Sequence, residues 1–195
     1  VLSVTEKPGD DGDGFGSFHI VGWDKEIGMR ITLYEPALAV SGKAYAGWAN
    51  PGDELLFPHV DTCCAVLIYG DNAVVGGHMG SQLPNMGEPN YEAAGRYVWT
   101  LVHANHRRLN TETEGCKVVT IGESNWYDTV VSTIWAAVRP IATLSLRTTE
   151  KFCSKGVDII ATMEKIVVSP CGTTQQFEYS LPDDYAYPMR KDIGQ

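Results

Sequence analysis

Nowhere in its 195 residues does the chain hold the roughly 18 consecutive apolar residues that cross a bilayer as a helix, so no transmembrane helix is expected. No signal-peptide pattern is visible either, although a chain that begins at Val1 leaves room for a removed targeting segment. Basic residues are scarce. Fifteen Lys and Arg stand against 24 Asp and Glu, for a net charge of −9, which argues against a nucleic-acid partner. The one basic pair of note, Arg107-Arg108, falls at the end of an expected helix, where cations suit the negative end of the dipole. An even cysteine set is also missing. Five cysteines, at 63, 64, 116, 153 and 171, cannot all pair within one chain, and neighbours Cys63 and Cys64 suit each other poorly. The odd count points to a reducing, cytoplasmic compartment or to a thiol kept for use, with a secreted effector as the alternative. No metal motif emerges. The acid- and glycine-rich run from Pro8 to Gly14 lacks the spaced ligands and closing Glu of a calcium loop. His103 and His106 have no thiol or carboxylate at matching spacing. Internal repeats and low-complexity linkers are absent too.

What remains is the composition of one globular domain, 44% hydrophobic and 20% charged. Residues 1–16 read as a flexible arm, 17–181 as a single domain and 182–195 as an irregular C-terminal extension. The domain is rich in strand signals, at Phe18–Val21, Met29–Tyr34, Ala37–Val40, Lys117–Gly122, 141–147, 157–163, 165–168 and 175–181. Two helical segments stand out. In the first, near 90–109, Tyr91, Ala94, Val98, Leu101, Val102, Asn105 and Leu109 recur at helical spacing. The second, 125–138, follows a Ser124-Asn125 cap and stops at Pro140. Many short strands with two helices predict an α+β fold: a curved mixed β-sheet or β-sandwich-like core with two main outer helices. His19 reads as a structural residue, and Trp23 and Trp48 as core or rim aromatics.

Chemistry concentrates between His59 and His78. Residues 64–69 are apolar and suit a buried strand, and Ala73 to Val75 resume the pattern after a polar break. A two-residue turn at Gly70-Asp71 has type II′ chemistry, and the ladder it starts brings Cys63 directly opposite His78. Opposed side chains share a face with Cβ atoms about 4.5–5.5 Å apart, so thiol and imidazole form a candidate nucleophile and base. A turn one residue longer sets Cys64 opposite His78 instead. Gly76-Gly77 leaves backbone uncovered where a substrate chain can approach. The alternative is that both cysteines are simply core.

Asn50-Pro51-Gly52, Asp61-Thr62-Cys63-Cys64-Ala65-Val66, Gly76-Gly77-His78 and Leu83-Pro84 together resemble the CheD chemoreceptor glutamine deamidases. That family carries an NPG segment, a G-S-C-x-A-V nucleophile strand and a histidine strand followed by Leu-Pro. The resemblance covers about residues 50–180 and implies Cys63 as nucleophile and His78 as base. A Cys–His pair on neighbouring strands is shared with deamidase toxins of the cytotoxic-necrotising-factor type. Two departures stand out. Leu55-Leu56-Phe57 occupies the neighbourhood of the family's third residue, a Thr, and the spacing from Cys63 to His78 is shorter. A backbone carbonyl is then the group left to orient His78.

The chemistry implied is hydrolysis of a protein glutamine side chain to glutamate through a thioester, with no metal or organic cofactor required. The partner implied is a glutamine-bearing protein, a chemoreceptor helix by one resemblance and a host signalling protein by the other. Alternatives are a Cys–His peptidase or transglutaminase, or a non-catalytic protein-binding module on the same fold. Ser81 and Gln82 can line the entrance or serve only as polar loop. Cys116 and Cys153 read as core or surface thiols, and Cys171 before Gly172 as a residue that can approach the site.

Overall fold

The computed structural model describes residues 16–24, 29–37, 45–61, 64–79, 102, 105–110, 115–123, 132, 134–136, 138–149, 153–183 and 189–194, with no side chains given for 16–24, 29–37, 45–47, 78–79 and 123. The expected arm up to residue 15, the strand at 38–40, the first helix before 102, the Ser124-Asn125 cap and the Leu83-Pro84 segment lie outside the described residues.

The fold is α+β and mostly sheet, as the pattern of elements predicts. Twelve strands are described: β1 (Gly16–Asp24), β2 (Met29–Ala37), β3 (Tyr45–Ala49), β4 (Leu55–Val60), β5 (Cys64–Tyr69), β6 (Val74–Met79), β7 (Lys117–Glu123), β8 (Ala142–Thr148), β9 (Val157–Ala161), β10 (Lys165–Pro170), β11 (Phe177–Ser180) and β12 (Met189–Asp192). They form an eight-stranded sheet in the order β1-β2-β3-β6-β5-β7-β8-β12 and a four-stranded sheet in the order β11-β10-β9-β4. The larger sheet is mixed. β7 and β12 run parallel to β8, and its other neighbours are antiparallel.

Alternation along each strand assigns its residues to two cores. Ala65, Leu67, Tyr69, Val74, Val119, Ile121, Leu144 and Leu146 meet Leu55, Phe57, Val157, Ile159, Ala161, Ile166 and Val168 of the smaller sheet in one cluster. The opposite face carries Val66, Ile68, Val75 and Val118, also buried. Two helical segments cover it. In α1, helical at 102 and 105–109, the Arg108 guanidinium stacks 3.5 Å from the Trp48 ring centroid. In α2, helical at 132, 134–136 and 138, Trp135 Nε1 donates to Thr143 Oγ1 at 3.3 Å. β5 is therefore covered on both faces, and all six of its residues are buried. That explains a continuous apolar run where a half-exposed strand would alternate.

Each helix ends on a residue in the left-handed region. Asn110 (φ 52°) donates its N–H to His106 O at 3.0 Å, and Arg139 (φ 49°), just before Pro140, donates to Trp135 O at 3.1 Å. The tail corrects its sequence reading. Read as irregular, it supplies β12, which pairs with β8 from Met189 to Asp192, and Ile193 is fully buried. Short polar strands such as Met189-Arg190-Lys191-Asp192 have no apolar pattern to announce them; pairing along β8 makes this one.

Candidate functional site

The β5–β6 hairpin forms, but in a different register from the one expected. Gly70 N–H donates to Ala73 O at 3.0 Å, so Asp71-Asn72 makes the turn rather than Gly70-Asp71. Gly70 does not have the positive φ that a II′ turn demands. The reason is tertiary. Asp71 N–H and Asn72 N–H both donate to Leu109 O, at 2.7 and 3.4 Å, which anchors the turn to the end of α1. Gly70 is required there for closeness, because a Cβ would sit 2.2 Å from Leu109 O.

The ladder then pairs Tyr69 with Val74, Ala65 with His78 and Cys64 with Met79. His78 thus has Ala65 opposite it on β5 and Tyr45 on β3, so neither expected alignment, Cys63 with His78 or Cys64 with His78, is the observed one. Cys63 itself, with Thr62, lies outside the described residues, as do Ser81, Gln82 and His103. Cys64 is 2% exposed, and its Sγ donates to Ala65 O at 3.5 Å.

Gly76, one of the glycine pair, makes room for core side chains. A Cβ at Gly76 would meet Phe57 Cζ at 2.6 Å and Leu55 Cδ2 and Leu67 Cδ2 at 2.8 Å. Gly76 therefore admits the smaller sheet's side chains, not a substrate. That smaller sheet includes Leu55-Leu56-Phe57, where Leu55 and Phe57 are core residues.

One end of the molecule gathers the polar chemistry. β4 stops there at Val60, β5 starts at Cys64, β6 arrives at His78, and the turn between β10 and β11 begins at Cys171. Within β4, Phe57 pairs with Ile159 and Val60 with Val157, so Pro58 and His59 together oppose Asp158. This is a β-bulge, with His59 in the left-handed region at φ 56°. Asp158 Oδ1 accepts the His59 N–H at 2.8 Å and lies 3.6 Å from the Cys171 Sγ. Gly156, at φ 82°, abuts the next residues: a Cβ there would be 2.8 Å from Val60 O and 3.0 Å from Asp61 Cα. Cys171 N–H donates to Gly156 O at 3.0 Å. Cys171 therefore does approach the segment ahead of Cys63, although its contact is with Asp158.

Three other thiols are held protonated. Burial pushes Cys116 up to about 12 and also raises Cys153. Cys171 is raised by burial and then by the Asp158 carboxylate. None of the three has the lowered pKa of an activated nucleophile. No disulfide joins Cys64, Cys116, Cys153 or Cys171. Among the described residues no three His, Cys, Asp or Glu side chains are grouped to hold a metal ion, and no helix is long and apolar enough to cross a membrane. The residues that sequence reasoning missed, His59 and Asp158, carry no local signal: each reads as an ordinary exposed polar position. No protein-family model matches the chain, and no curated protein matches it.

Proposed function

We propose that the protein is a cysteine-dependent hydrolase that deamidates glutamine in a partner protein, with Cys63 as nucleophile and His78 as base. The observation that carries this reading is the pairing of β5 with β6, which puts His78 opposite Ala65, two residues along the chain from Cys63. Two residues of trans backbone span at most about 7 Å, so covalent connection alone keeps Cys63 in the neighbourhood of the His78 strand. The CheD-like residues at 50–52, 61–66 and 76–78 support the same pair. So do the raised pKa values of Cys116, Cys153 and Cys171, which disfavour them as competitors.

In this reading His78 takes the Cys63 thiol proton, and the thiolate attacks the glutamine carboxamide carbon. Backbone N–H groups stabilise the tetrahedral oxyanion. The imidazolium then protonates the departing nitrogen, ammonia leaves, and a thioester remains. Water, deprotonated by His78, attacks that thioester to release glutamate and restore the thiol. The substrate is a protein bearing an accessible glutamine, a chemoreceptor helix or a signalling protein.

The test incubates wild type and Cys63→Ser with such proteins and with glutamine peptides. A gain of about 1 Da at glutamine with ammonia release, lost in Cys63→Ser, is expected, since a serine beside one base is a weak nucleophile at neutral pH. Equal activity in both proteins, or none on any glutamine substrate, overturns the reading in favour of a binding module.

A further inference from the structure

We propose that β12 is a strap that undocks as a unit and, while docked, keeps the edge of β8 from pairing with β8 of a second copy of this chain. What the strap covers is apolar. The first five residues of β8, Ala142 to Leu146, are all buried. Leu144 and Leu146 belong to the core between the sheets, and Thr143 and Ser145 are buried on the opposite face. Covered on both faces, β8 has the character of an interior strand. Yet β7 flanks it on one side only, and among the described residues β12 alone flanks the other. An apolar strand bared at a sheet edge is a template for pairing with another chain. A second copy fits because the edge complements itself. Antiparallel pairing about Ser145 sets Leu144 opposite Leu146 and Thr143 opposite Arg147, with no like charges opposed. Such a two-fold contact closes on itself.

The strap carries the chemistry of a stop. Met189 packs against the core and Ile193 is buried in it, both on one side of the strand. Lys191 falls between them on that side and is nonetheless exposed. A lysine on the core-facing side of an edge strand penalises any further strand that would cover it. The hold on the strap is light. Ile193 is the one fully buried side chain from 189 to 194. Beside it stand the ladder to β8, the Arg147–Asp192 ion pair, and a Gly194 N–H donated to the Tyr179 hydroxyl of β11 at 3.2 Å. Few buried apolar contacts mark a segment that opens below the cost of global unfolding. β5, with all six residues buried between two neighbouring strands, belongs to the last unit to open.

The experiment combines hydrogen exchange with sedimentation on the full chain. In wild type the amides of residues 190–194 are expected to lose protection together and well before those of β5. Exchange of both segments at one rate overturns the strap as a separate unit. Ile193→Asp sets a charge in the core and Asp192→Arg opposes Arg147, so both variants should expose the strap, the first more completely. Each should then self-associate as concentration rises, while β5 stays protected and wild type keeps its sedimentation coefficient. A synthetic peptide of residues 189–195 should reverse the association, and the same peptide with aspartate in place of isoleucine should not. Variants with an unprotected strap and an unchanged sedimentation coefficient overturn the protective role. Loss of β5 protection in both variants overturns the proposal too, because the strap is then integral to the sheets. Association that the peptide leaves untouched shows that the β8 edge is not the surface responsible.

Discussion

At the scale of single residues, burial raises the pKa of the Cys116 thiol and the Tyr69 phenol. Cys116 is fully buried, and its thiol is pushed up from 9.0 to about 12 by desolvation. A raised acid pKa means the folded state keeps a proton that the unfolded state gives up. The associated stability is complete below pH 9, then declines as pH rises toward 12. Three pKa units correspond to roughly 4 kcal/mol at most. Burial raises Tyr69 in the same direction. Cys116→Ala should therefore flatten the loss of stability between pH 9 and 12, measured by urea unfolding across that range. Tyr69 carries a second cost. Its hydroxyl is buried without a hydrogen-bond partner among the described residues, and an unsatisfied buried group costs about 1–3 kcal/mol. Tyr69→Phe keeps the ring and removes the orphan oxygen, so the urea midpoint should rise. A fall would mean the hydroxyl has a partner worth keeping.

At the scale of elements, the β5–β6 hairpin and α1 are built as one unit. The turn amides of Asp71 and Asn72 use the Leu109 carbonyl as acceptor, and Gly70 lets the two backbones meet. Gly70→Ala adds a Cβ that collides with backbone atoms which cannot rotate away. The expected loss is about 3 kcal/mol, at the upper end for overpacking, read as a lowered thermal midpoint. Gly76→Ala should also destabilise, but its clashes are with the Phe57, Leu55 and Leu67 side chains, which can partly yield. The Gly70 variant should therefore be the worse of the two. The hairpin's register was legible only in part. The strands and the polar break between them are plain in the sequence. The turn position was not, because Gly-Asp at 70–71 is good local turn chemistry and nothing nearby reveals that Leu109 will dock on the following pair. Moving the turn by one residue shifts the pairing by two and replaces Cys63 with Ala65 opposite His78.

At the scale of the whole molecule, the two sheets close through the alternating residues of β4, β5, β7, β8 and β9, and the C-terminal strand closes the far edge. Among the described residues β12 pairs only with β8, Ile193 is buried in the main cluster, and Arg147 forms an ion pair with Asp192. Ile193→Ala should cost about 2–5 kcal/mol, as other large-to-small changes in cores do. If its thermal midpoint matched that of wild type, the tail would be dispensable to the fold. Its effect on Cys63 reactivity should be small, since β12 lies four strands from β6 in the sheet order.

Pattern alone determined the α+β class, most of the strands, the buried character of residues 64–69 and the two helices, because alternation and helical spacing are local properties that burial then rewards. It also singled out Cys63 and His78 as the residues to watch. Tertiary structure decided what local chemistry left open: where the hairpin turns, what Gly76 makes room for, and that the tail joins the sheet. The bulge at His59 belongs to the same group. Neither Pro58-His59 nor Asp158 announces a partner, and the three form one feature only because β9 lies beside β4. The burial of Val60, which breaks the alternation set by Leu55 and Phe57, depends on that neighbour. A strand cannot choose its face by itself when the residue that sets its register is supplied from elsewhere in the fold.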